Sequence, residues 1–174
     1  DTHVHFYDMQ HPTLYYGDWQ PDRNHPNPML GSQTRILGER NYLASDFIEE
    51  SSPEGVIKAV HVQAAIGTPD PVEETEWLQA AYEDTGMPNA IIGFVNLKHP
   101  SAEMEINRHM EHSNFRGIRD FSAAQDKDYL ENFETSLKPT ILFYSNFYFW
   151  LENTDYFAPI NSLKILLHTW SLSI

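Results

Sequence analysis

Two runs of β-branched and small apolar residues, Val56 to Ala65 and Ala90 to Leu97, are each followed by a stretch with helical periodicity. A strand that is apolar on both faces needs cover on both faces, and the cheapest cover is the helix that follows it in the chain. The first run lies between Gly55 and Gly67, and Pro71 to Tyr82 follows with acids in its first turns, where they complement the helix dipole. That helix is expected to end near Gly86 and Pro88. After the second run, Ser101 to Met110 reads as a helix with Ser101 as its N-cap. Phe115 to Phe121 reads as a further strand, residues 126 to 137 as a helix, and Thr140 to Phe147 as a strand. A short helix over Trp150 to Ala158 and a strand over Leu163 to His168 complete the series. Strand and helix alternating in this way specify a parallel sheet joined by right-handed crossovers.

The chain opens on Asp1-Thr2-His3-Val4-His5, which reads as one more strand and brings the total to six. Side chains alternate along a strand, so His3 and His5 share a face and their imidazoles can converge on one ion or one substrate oxygen. Between this strand and the next, Pro12, Pro21, Pro26, Pro28, Gly17 and Gly31 forbid a regular element, so residues 9 to 34 form a long loop. Tyr15, Tyr16, Trp19, His11 and His25 give that loop aromatic and polar reach. Leu43 to Phe47 reads as a short helical or turn segment.

With 174 residues the chain supports one well-buried core, a single domain or part of one. It has no cysteine, which excludes thiolate ligands and disulfides and suits a reducing cytoplasm, the expected location. Any metal must be held by His, Asp or Glu. A formal charge of −14 repels phosphate backbones and anionic membranes, so neither nucleic acid nor a membrane surface is an expected partner. A small-molecule substrate is. Nothing in the sequence specifies an oligomeric state.

The stretch D-x-H-x-H-F-x-D, Asp1 to Asp8, resembles the first barrel strand of the amidohydrolase superfamily. In particular it resembles the amidohydrolase 2 branch, which contains lactonases and related enzymes that cleave carbon–oxygen and carbon–carbon bonds. The resemblance runs to about residue 168, through Val62-Gln63-Ala64 with Glu76-Trp77-Leu78, Gly93 to Leu97, Arg116 to Arg119 and Ile165 to His168. It implies a (β/α)8 barrel with the site at the C-terminal ends of the strands. Such a barrel usually takes ~250 residues, so this chain is expected to be one barrel domain over residues 1–174 that carries about six of the eight strands, truncated at its C-terminus. It further implies that His3, His5 and His168 hold a divalent ion such as Zn²⁺ in members that use one, and hydrogen-bond the substrate carbonyl in members that do not. His168 would be catalytic, and Gln63 and Arg119 would bind substrate, with Arg119 forking onto a carboxylate.

The implied reaction is attack of water on the carbonyl of a small, carboxylated lactone. Non-oxidative decarboxylation uses a similar His pair and is the alternative within the superfamily. Outside it stand a non-catalytic remnant and a binding module built on the aromatic loop. The chain departs from the family pattern after its sixth strand, where His168-Thr-Trp-Ser-Leu-Ser-Ile174 replaces H-x-G-x-P. The family's catalytic aspartate ends an eighth strand, which this sequence does not reach. A chain stopping there is expected to turn over poorly by itself.

Overall fold

The structure, a computed structural model, describes residues 1–19, 34–120 and 148–151. Its centre is a parallel sheet of four strands in chain order: β1 (Val60–Val62), β2 (Ala90–Phe94), β3 (Phe115–Asp120) and β4 (Tyr148–Leu151). The opening segment extends this sheet beyond β1. Val4 lies parallel to His61, donating its N–H to the Val60 carbonyl and accepting one from Val62.

Four helices accompany the strands: α1 (Thr34–Leu37), α2 (Ala44–Ser51), α3 (Val72–Thr85) and α4 (Ala102–Met110). The core lies between the sheet and the last three of them. Val4, Phe6, Ala59, Ile91, Phe115 and Ile118 from the strands meet Phe47, Leu78 and Ile106 from the helices. Fully burying a side chain of this size is worth about 1.5–3 kcal/mol, so this layer is a large stabilising contribution among the described residues. Because Val4 and Phe6 belong to it, His3 and His5 are left on the opposite face of the opening segment.

A second apolar cluster sits beyond the strand ends, where Tyr7, Leu14, Tyr16, Ala64 and Ala65 pack with Trp19 and Trp77. It fastens the first part of the long loop to the segment after β1. Tyr16 bridges Gly67, and the Tyr15 N–H donates to the Thr68 hydroxyl at 2.9 Å. Tyr7 bridges Tyr42 on the other side.

The parallel, alternating architecture agrees with the sequence, but several boundaries move. The first buried strand is limited to Val60–Val62 rather than running over 56–65, since Ile57 is 80% exposed and the N–H groups of Ala64 and Ala65 go to Glu74 of α3. β2 stops at Phe94, short of Leu97, whereas α3 ends at Thr85 with Gly86 as its C-cap, where its end was expected. Trp150 and Leu151, expected to begin a helix, belong to β4 and pair with Arg119 and Asp120. Ser101 does not cap α4 through its hydroxyl, which instead donates to Glu105 Oε1 at 2.6 Å. The helix expected over 126–137, the strand over 140–147 and the strand over 163–168 lie outside the described residues, as does His25.

Candidate functional site

His3 and His5 lie where the opening segment passes the C-terminal end of β1, with His3 exposed and His5 half-buried. Their Nε2 atoms stand 3.3 Å apart and their rings meet edge to face, with centroids 4.9 Å apart. The second nitrogen of His5, Nδ1, lies 2.7 Å from the Val62 carbonyl. A carbonyl can only accept, so Nδ1 carries the hydrogen and the lone pair of neutral His5 sits on Nε2, facing His3. Burial, partly opposed by the Val62 carbonyl and helped by the nearby charges of His61, His3 and Arg119, lowers the pKa of His5 from 6.5 to about 4. At neutral pH the lone pair is therefore free of a proton.

This geometry suits two ligands of one ion. Two imidazole nitrogens each about 2.0–2.1 Å from a tetrahedral Zn²⁺ stand about 3.3–3.4 Å apart. The hydrogen bond from the non-ligating nitrogen to a backbone carbonyl is the usual support for a ligating histidine. The set of three expected from the sequence is not assembled among the described residues, which contain no group of three or more His, Asp or Glu side chains able to hold a metal. His168, the third expected ligand and the expected catalytic residue, lies outside the described residues.

Gln63, just past β1, and Arg119, next to last in β3, lie at the same rim. Both are buried, at 1% and 6% exposure, and an Arg119 Nη1 donates to the Gln63 carbonyl at 3.4 Å. The Gln63 amide itself has no hydrogen-bond partner among the described residues, which is costly for a buried group and leaves two donors and an oxygen to be satisfied. Asn96, expected to end a strand, lies two residues past β2 and turns its side-chain oxygen to the Lys98 N–H at 3.1 Å, serving its own loop.

Two buried acids hold this rim rigid. Glu74, in the first turn of α3, accepts the N–H groups of Ala64 and Ala65 at 2.8 and 2.9 Å on one oxygen, Oε1. His61 Nε2 lies 3.3 Å from that oxygen, and its Nδ1 accepts the Phe6 N–H at 3.1 Å, so the hydrogen of His61 is on Nε2 and points at Glu74. Asp120 repeats the device one strand on, accepting the Leu97 N–H at 2.9 Å. Sequence reasoning passed over His61 and Glu74. The available signal was a histidine inside an apolar run followed by an acid in the first turn of the next helix.

An aromatic group from the loop completes the surroundings. Trp19 meets His5 edge to face with centroids 6.0 Å apart, and is backed by Tyr7 at 5.0 Å and by the parallel ring of Tyr16 at 6.0 Å. Tyr16 is fixed in turn, since its hydroxyl oxygen accepts the Asp8 N–H at 3.0 Å and its burial pushes its pKa well above the ordinary tyrosine value.

No family model matches the chain. It is 33% identical over 142 residues to an uncharacterized protein of Sinorhizobium fredii, y4mH, a match that takes in 80% of this chain and 46% of that protein. Its fold is like that of an amidohydrolase from Burkholderia multivorans, solved with bound HEPES, with a TM-score of 0.55 at 18% identity over 86% of this chain and 45% of the other. The chain thus spans under half the length of either protein, and at that identity the structural likeness is one of fold.

Proposed function

We propose that this chain is part of a (β/α)8-barrel hydrolase of the amidohydrolase 2 type, and that it presents a carbonyl, that of a small carboxylated lactone, to the His3/His5 pair. The observation that carries the reading is the pair itself: two Nε2 atoms 3.3 Å apart at a parallel-sheet rim, one oriented by a backbone carbonyl. The likeness to an amidohydrolase fold supports it.

His3 and His5 would hold a divalent ion such as Zn²⁺, which when bound would supply Lewis acidity toward the carbonyl and the attacking water. The chain's own groups do the positioning. His5, neutral and hydrogen-bonded at Nδ1, offers its lone pair without first losing a proton. Arg119, which donates to the Gln63 carbonyl at the same rim, would turn its planar fork to the substrate carboxylate, and the Gln63 amide would offer hydrogen bonds to its ring or ester oxygens. His168 completes the ligand set in this proposal.

The test joins zinc titration by calorimetry to an assay over a panel of small carboxylated lactones. His3→Ala and His5→Ala should each cost more zinc affinity than the roughly 10–100-fold lost with a supporting partner, and should abolish turnover. Unchanged affinity in both variants refutes the site.

A further inference from the structure

Trp19 ends a single 3-10 turn, Gly17–Trp19, set within the long loop, and two aromatic rings support its indole. Tyr7 stands edge to face against it, Tyr16 lies parallel to it at 8°, and the two loops beneath are joined at Tyr16 and Gly67. The turn that delivers it requires glycine, because Gly17 has φ of +50° and a Cβ there would meet the Ile66 carbonyl oxygen at 3.0 Å. The support comes from two aromatic rings and a turn that depends on glycine. It holds a large, flat ring against His5 while leaving the ring half-exposed, next to an exposed His3. A surface of this kind favours flat partners: rings pack on it at offset or edge-on separations that puckered, saturated rings do not reproduce.

We propose that Trp19 determines specificity at the His3/His5 pair, forming a wall that selects ligands whose carboxylate or carbonyl is attached to a flat, conjugated ring. The inference rests on the site proposed above, but on its binding of ligands and not on its turnover. An aromatic contact of this type is worth roughly three- to tenfold in affinity.

The probes are benzoate and cyclohexanecarboxylate, which share a carboxylate and differ in the planarity of the ring. Binding is followed through the ring C–H signals of His3 and His5 by NMR, with the full chain. Wild type should bind benzoate three- to tenfold more tightly than cyclohexanecarboxylate, Trp19→Leu should lose that preference, and Trp19→Phe, which keeps a ring in the stack with Tyr16, should retain part of it. Gly17→Ala, which displaces Trp19 without altering it, should also reduce the preference. Equal affinities for the two probes in wild type, an unchanged preference in Trp19→Leu, or no perturbation of either histidine by either probe overturns the inference. If selectivity is absent while zinc binding and lactone hydrolysis persist, only the role of Trp19 fails. If zinc binding survives the histidine variants, the site itself fails.

Discussion

Glu74 shows how much can depend on one oxygen atom. Its Oε1 accepts two backbone N–H groups and faces the His61 Nε2–H, all inside the protein. Leaving one buried donor without a partner costs about 1–3 kcal/mol, and three are at stake. Glu74→Ala should therefore lower stability by about 3–5 kcal/mol in urea titration, more than almost any exposed substitution. Glu74→Gln keeps an acceptor oxygen and should cost about half as much. The pattern at this residue was only half legible in the sequence. An acid in the first turn of a helix is ordinarily placed there by the helix dipole, and nothing local says that its oxygen turns inward to the end of the preceding strand. The two histidines of the opening segment were legible because strand alternation alone puts them together, whereas His61 points into the layer under α3 and looks like any polar residue in an apolar run.

Between elements, one side chain ties α4 to both α3 and β2. The ring of His109 on α4 reaches past α3, with Nδ1 2.9 Å from the Thr75 hydroxyl and Nε2 3.1 Å from the Phe94 carbonyl, and it stacks on Phe115. It lies over Gly93, where a Cβ would meet its Cε1 at 2.9 Å and Thr75 Oγ1 at 3.0 Å. Gly93→Ala should therefore overpack the layer and cost about 1–3 kcal/mol by denaturant titration. Burial lowers the pKa of His109 to about 4, against a favourable Phe94 carbonyl and Glu74 and alongside His112 and Arg108. Above pH 6.5 neither state is protonated there and stability is unaffected. As pH falls below 6.5 the unfolded chain gains a proton that the folded chain refuses, so stability declines until about pH 4. The loss should reach about 2 kcal/mol near pH 5, and urea titrations of His109→Gln should show a correspondingly shallower decline. The succession of these elements could be read from the sequence because Val, Ile and Ala runs and first-turn acids are local signals. The extent of each strand could not, since whether Ile57 or Asn96 continues a ladder depends on a neighbour far away in the chain. The same holds for β4, whose position at Tyr148–Leu151 is set by pairing with β3 and not by the apolar run before it.

For the molecule as a whole, a formal charge of −14 means net self-repulsion in the compact state. Raising salt from about 0.01 M to about 0.15 M shortens the Debye length from roughly 30 Å to 8 Å, so the melting temperature should rise with added NaCl; scanning calorimetry at the two salt concentrations checks this. A basic protein of equal size would show the same trend, but one of zero net charge would not. Among the described residues no helix is long and apolar enough to cross a membrane. Ala64, Ala65 and Leu97 all lie beyond the ends of their strands, in segments that would ordinarily trade their amide hydrogens with solvent within minutes. Here each of those hydrogens is held by a carboxylate from another element, Glu74 of α3 or Asp120 of β3. Exchange at Ala64 and Ala65 then waits for α3 to leave the sheet, and that motion exposes the main core. In deuterated water these three loop amides should be retained as long as those inside β2, so that the rim carrying the imidazole pair keeps time with the core.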